Sequence, residues 1–156
     1  SARSYCTGRS RLDKLMMNNL DFFENLLAKL SKVKFRDSLL VNHADFGQHN
    51  LLFVGNKLVG ILDFENLKLA PKSSDIAYVL RRQPKQSKGF VEHYQRENSL
   101  SKREVSHLPY FQLLHECTMF WWTYMHMFKH SELKYKWLSH TIHNAKSIAK
   151  CWKGLR

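Results

Sequence analysis

Between residues 12 and 31 the side chains Leu12, Leu15, Met16, Leu20, Phe23, Leu26, Leu27 and Leu30 recur at three- and four-residue steps. That spacing sets them along one stripe of a helix. Asp21 followed by Glu24 has the form of a local cap, so two shorter helices are an open alternative here. From Ser38 the period changes. Leu39, Leu40 and Val41 form a short apolar run that ends in His43-Ala44-Asp45. Two β-rich runs follow, Leu51 to Val54 and Lys57 to Asp63, joined by Gly55-Asn56. A two-residue Gly-Asn link predicts a tight hairpin, because both residues tolerate positive φ. After Pro71, Ser73 and Ser74 precede Asp75-Ile76-Ala77-Tyr78-Val79-Leu80, a helix start with an acid in its first turn. Residues 84 to 89 are polar and basic and predict a loop, after which helical patterns resume at 90–96, 101–128 and 132–152. Pro109 is expected to kink or break the second of these.

The order is therefore a helix, a small β-element and a helical tail: an α+β chain, mostly helical, without internal repeats. At 156 residues it is read as a single domain, with a helical lead-in at 12–31, a core at 39–80 and a helical subdomain at 90–152. Hydrophobic content of 44% with 13% aromatic residues excludes a disordered or fibrous chain. The most apolar window, Cys117 to Phe128, is too short to span a bilayer, and Thr118, Thr123 and His126 interrupt it. No membrane association is expected. Cys6, Cys117 and Cys151 are odd in number and far apart, which argues against a disulfide framework and suits a reducing cytoplasm. The net charge of +12 fits an anionic partner, whether nucleic acid, acidic membrane or nucleotide phosphate, or equally a basic part separated from a more acidic remainder, and the spread of basic residues along the chain weakens the nucleic-acid case.

Candidate chemistry is concentrated in His43-Ala44-Asp45-Phe46-Gly47-Gln48-His49-Asn50, with Asp63-Phe64-Glu65 beginning 13 residues after Asn50. Phosphoryl transfer requires a carboxylate beside the attacking hydroxyl and oxygen ligands for magnesium on the nucleotide phosphates. A loop presenting Asp45 and Asn50, with a hairpin returning Asp63, supplies all three groups. Taken singly, Asp45 could form an Asx-turn, Asn50 could be a loop residue and Asp63 a strand-end cap. For Asp75 an acid in a helix's first turn is ordinary. Two histidine pairs, His126/His130 and His140/His143, have helical spacing but no H-E-x-x-H pattern, so they do not define a transition-metal site. The aromatic band Phe120, Trp121, Trp122, Tyr124 and Phe128 is read as helix core, with a quaternary-ammonium cage as the other use of such residues.

The spacing H-x-D-x-x-x-x-N followed by Asp-Phe is that of a kinase catalytic loop and its metal-binding segment. The H-A-D form, Glu65 after Asp63-Phe64, and A-P-K-S-S-D-I-A-Y-V-L resemble the aminoglycoside-phosphotransferase and choline-kinase superfamily. The resemblance is clearest from Leu39 to Leu80. It extends more weakly to L-S-K-R-E-V-S-H-L-P and to Trp121-Trp122 in the helical tail. It implies a protein-kinase-like C-terminal lobe and ATP- and Mg²⁺-dependent transfer to a hydroxyl of a small molecule such as an aminoglycoside, choline or homoserine. Asp45 would be the catalytic carboxylate. Asn50 and Asp63 would bind magnesium and with it the nucleotide, while His43 and Asp75 would support the loop. Ala44 stands where the family has Gly, Gly47 where many relatives have a second His, and His49 where Gly is frequent.

Only 42 residues precede His43, and they show neither a strand lysine nor a Gly-rich phosphate loop; Thr7-Gly8-Arg9 is too little. With no initial Met, the expectation is a C-terminal lobe separated from its N-terminal nucleotide lobe and turning over poorly alone. The alternative is a catalytically silent, basic kinase-like module that holds RNA or another polyanion.

Overall fold

The computed structural model describes residues 10–82, 87–126 and 131–152. It is mostly helical with small antiparallel sheets, as the α+β expectation required. Helix α1, Arg11–Leu30, is continuous. Its N-cap Ser10 accepts a hydrogen bond from the Asp13 amide at 2.9 Å, satisfying one of the first turn's unpaired donors. Asp21 and Glu24 lie mid-helix and do not divide it. The predicted stripe buries Met16, Leu20, Phe23, Leu26 and Leu30, and with them Asn19, a polar residue inside the apolar face.

The described residues group into two compact units. One contains α1, the part of helix α4 (Lys102–His126) from Leu113 onward, and helix α5 (Ser131–Cys151). Here Phe23 stacks on Phe120 with ring centroids 3.9 Å apart. Asn19 is satisfied by Lys146 Nζ, which donates to its side-chain oxygen at 2.6 Å, and by its own bond to the Leu15 carbonyl. Of the aromatic band, Phe120 and Tyr124 are buried, whereas Trp122 is half exposed. Phe128 and His130 lie outside the described residues. Helix α4 runs unbroken through Pro109, which can supply no amide to the Val105 carbonyl. The predicted break does not occur.

The second unit, Phe35–Gln112, carries the chemical motif. Strand β1 (Leu39–Asn42) pairs antiparallel with β4 (Lys68–Pro71), Leu39 opposite Pro71 and Asn42 opposite Lys68. Pro71 ends β4, a position that needs no ladder donor. Asn42 fastens the pair, its side-chain amide donating to the carbonyls of Leu40 at 2.9 Å and Ala70 at 2.6 Å. Strands β2 (Leu51–Val54) and β3 (Lys57–Ile61) form the predicted hairpin. Gly55, at φ +58°, takes the positive φ of its turn. Leu52 pairs with Gly60 and Phe53 with Leu58, so Val59 is the extra residue of a β-bulge. Helix α2 (Ser73–Arg82) buries Ile76, Ala77 and Leu80 against Leu108 and Phe111 of α4. Helix α3 (Ser87–Glu97) begins inside the predicted loop at 84–89, because a polar first turn led by Ser carries no apolar periodicity to announce it.

Among the described residues no helix is long and apolar enough to cross a membrane.

Candidate active site

The loop after β1 is shaped by one helix. Asp75, in the first turn of α2, accepts the backbone amides of His43 at 2.7 Å and Ala44 at 2.8 Å, one on each carboxylate oxygen. An ionised carboxylate gripping two amides forms stronger bonds than a neutral acceptor, so this clasp sets where the loop leaves the strand. Ala44 then turns the chain with φ +64°, in the left-handed region that disfavours any Cβ. The alanine is thus more than a small residue in place of glycine; it occupies a strained backbone position.

His43 is buried and joins the loop to the hairpin. Its Nε2 lies 2.8 Å from the Leu62 carbonyl, and its Nδ1 accepts the Asp45 amide at 3.3 Å. Only one neutral tautomer, with the proton on Nε2, satisfies both bonds. Its ring also meets Phe46 edge-on at 5.8 Å and Phe64 at 4.9 Å. The Leu62 amide in turn donates to the Asn50 carbonyl at 2.8 Å. Residues 43, 50 and 62 are therefore tied together by backbone and ring, and Asp63 follows directly at φ +62°. Asp tolerates that conformation better than most side chains do.

Asn50 is buried at the end of a short 3₁₀ turn, Gln48–Asn50. Its amide nitrogen donates to the Asp45 carbonyl at 2.9 Å and, more weakly, to Asp45 Oδ2 at 3.3 Å. With the nitrogen committed to Asp45, the side-chain oxygen is the atom left for a cation. Asp45 Oδ1 accepts a hydrogen bond from the Tyr78 hydroxyl on α2. His49 Nε2 stands 3.6 Å from Oδ2. Partial burial pushes the Asp45 carboxyl up, but Tyr78, the nearby His49 and the Asn50 amide outweigh it and bring it below its ordinary value. Asp45 is therefore held ionised.

His49 does not strain the backbone; it sits in the 3₁₀ turn without positive φ. A Cβ built on Gly47 would overlap its imidazole. Asp63 is exposed, and among the described residues its carboxylate has no side-chain hydrogen-bond or ion-pair partner. No group of three or more His, Cys, Asp or Glu among the described residues could hold a metal ion unaided. One carboxylate and one amide oxygen instead match magnesium, which keeps waters and phosphate oxygens in its shell. These donor types suit Mg²⁺. Beside Phe46 lies a cavity of about 270 Å³ walled mainly by Leu40, Val41, Ile76, Val79, Phe90 and Tyr94.

Sequence reasoning gave no role to Tyr78, Phe64 or the His49–Asp45 approach. Tyr78 had a usable signal: it follows Asp75 by three residues on a helix and so shares its face.

A loop clamped by a helix acid, carrying an ionised aspartate and an asparagine whose carbonyl is bonded to the residue before a second aspartate, has the group types that phosphoryl transfer uses. The family model described as the phosphotransferase enzyme family matches residues 8–108. The chain belongs to that family. Comparison with curated proteins and with solved structures returns no match.

Proposed function

We propose that the chain is the catalytic lobe of a small-molecule kinase, transferring phosphate from ATP to an acceptor hydroxyl. The observation that carries this reading is the convergence of Asp45 and Asn50, bonded to each other, with residue 62 tied to both His43 and Asn50. Asp45 orients the acceptor hydroxyl and takes its proton as the oxygen attacks. Asn50, through its side-chain oxygen, and Asp63, through its carboxylate, hold magnesium on the nucleotide phosphates. When bound, the ion neutralises charge on the phosphates. Asp75 and His43 keep the loop in register and do not touch substrate.

The exposed apolar strands support a second, nucleotide-holding lobe as partner. Val41, Leu69, Phe53, Val54 and Val59 are each more than half exposed. Surfaces of that kind mark contact with another layer or with a ligand.

The test is calorimetric titration of magnesium-ATP into the chain and into Asp63→Ala. Binding that requires magnesium and disappears in the variant is expected. Binding indifferent to both would overturn the assignment, and RNA affinity that falls steeply with salt and ignores Asp45→Asn would replace it with a polyanion-binding role.

A further inference from the structure

We infer that Tyr78 is a positioning residue for the transfer step, its phenol fixing one oxygen of Asp45 so that the other is aimed at the acceptor hydroxyl. The inference rests on the reading of Asp45 as the carboxylate of phosphoryl transfer.

A carboxylate on a loop can rotate about two side-chain bonds, and a proton acceptor that rotates is misaimed most of the time. Orientation is a large part of what a transfer site contributes. The loop backbone here is fixed by Asp75, but that clasp ends at the amide of Ala44 and does not reach the Asp45 side chain. Tyr78 supplies a constraint on that side chain from the same face of the same helix, three residues further on. Its hydroxyl donates to Asp45 Oδ1, and its ring is buried at 8% exposure. The neighbouring Ile76, Ala77 and Leu80 anchor α2 in the core of this unit, so the phenol is presented by a rigid element. Oδ2 is approached by Asn50 at 3.3 Å, with its nitrogen shared with the Asp45 carbonyl, and by His49 at 3.6 Å. One oxygen is therefore engaged from α2, while the long contacts at the other leave it open to exchange partners. A hydrogen bond from a neutral donor to a charged acceptor of this kind is worth about a tenfold to hundredfold factor when it is needed in the transition state.

The experiment uses the full chain with Tyr78→Phe, Asp45→Asn and the double variant; the Phe keeps the ring and removes only the hydroxyl. Release of labelled phosphate from magnesium-ATP, with water as acceptor and protein in excess, gives the single-turnover rate. Calorimetry gives nucleotide affinity. Tyr78→Phe is expected to slow release tenfold or more at unchanged affinity, and to add nothing in the Asp45→Asn background. A full rate in Tyr78→Phe beside a lost rate in Asp45→Asn overturns the role of Tyr78 and leaves the kinase reading standing. A full rate in Asp45→Asn overturns both. Where wild-type release does not exceed the blank, the decision passes to NMR of the ¹³C-tyrosine-labelled chain. A slowly exchanging Tyr78 hydroxyl proton that is lost in Asp45→Ala supports the constraint, and its absence from the wild type overturns it.

Discussion

Ala44 carries the strain of the loop in a single torsion. A non-glycine residue in the left-handed region loses roughly 1–2 kcal/mol, and glycine returns part of that gain through its greater freedom when unfolded. Ala44→Gly should therefore raise unfolding free energy by about 0.5–1 kcal/mol, read from urea denaturation with an unchanged slope. A loss of stability would mean that φ +64° is not the solution conformation. Thiol chemistry separates two other residues. Burial, with the neighbouring Glu116, pushes the Cys117 thiol up to about 12, while Cys151 is exposed. Iodoacetamide at pH 8 should label Cys151 and spare Cys117 in the native chain, with peptide mass mapping as the readout.

At the level of elements, α4 is started by a reciprocal cap that the sequence displays as Ser101-Lys102-Arg103-Glu104. The Glu104 amide donates to Ser101 Oγ at 3.1 Å, and the Ser101 amide donates to Glu104 Oε2 at 2.8 Å. Ser101→Ala should cost about 1 kcal/mol of unfolding free energy. Partial burial pushes the Glu104 carboxyl up, but the bonds from Ser101 and the approach of Lys72 at 3.4 Å outweigh it and leave it below its ordinary value. A depressed carboxyl stabilises the fold above its unfolded pKa, and that contribution is lost as pH falls through the lower folded value. Glu104→Gln should accordingly flatten the acid limb of the stability–pH curve and leave its shape near neutrality unchanged. The segment ahead of β1 is fastened to the same helix by Asp37. Its carboxylate is buried, with Arg103 Nε at 2.8 Å and His107 Nδ1 at 2.7 Å. Asp37→Ala should destabilise by about 2–3 kcal/mol in chemical denaturation, since hydrogen bonds to charged groups are the stronger ones.

Across the whole molecule, apolar residues fall into two physically different populations. Phe23 is fully buried and stacked, whereas Leu69 on β4 is 68% exposed. Phe23→Ala should cost about 3–5 kcal/mol. Leu69→Lys should change stability by less than about 0.5 kcal/mol and reduce aggregation, because it removes apolar surface only from solvent. Equal destabilisation by the two substitutions would show that the strands are covered in solution.

How much of this was legible in the sequence depended on whether the signal was local. The α1 stripe, the Gly55 hairpin and the helix start before Asp75 are written in short periods and turn residues, and their bounds lie within a few positions of those expected. The H-x-D-x-x-x-x-N spacing likewise singled out Asp45 and Asn50, which are bonded to each other in the structure. Other features depended on partners distant in the chain. Pairing of β1 with β4 joins residues about 30 positions apart, and a four-residue run such as Lys68–Pro71 does not announce its partner. Continuity of α4 through Pro109 goes against local propensity. The grip of Asp75 on two amides, the bond from Tyr78 to Asp45 and the φ of Ala44 exist only once α2 is packed beside the loop. The sequence by itself determined which chemical groups are available and which short elements carry them, because propensity and periodicity act over a few residues. Only the tertiary structure decided how those groups face one another, because hydrogen bonds between elements form after the chain has closed its long loops.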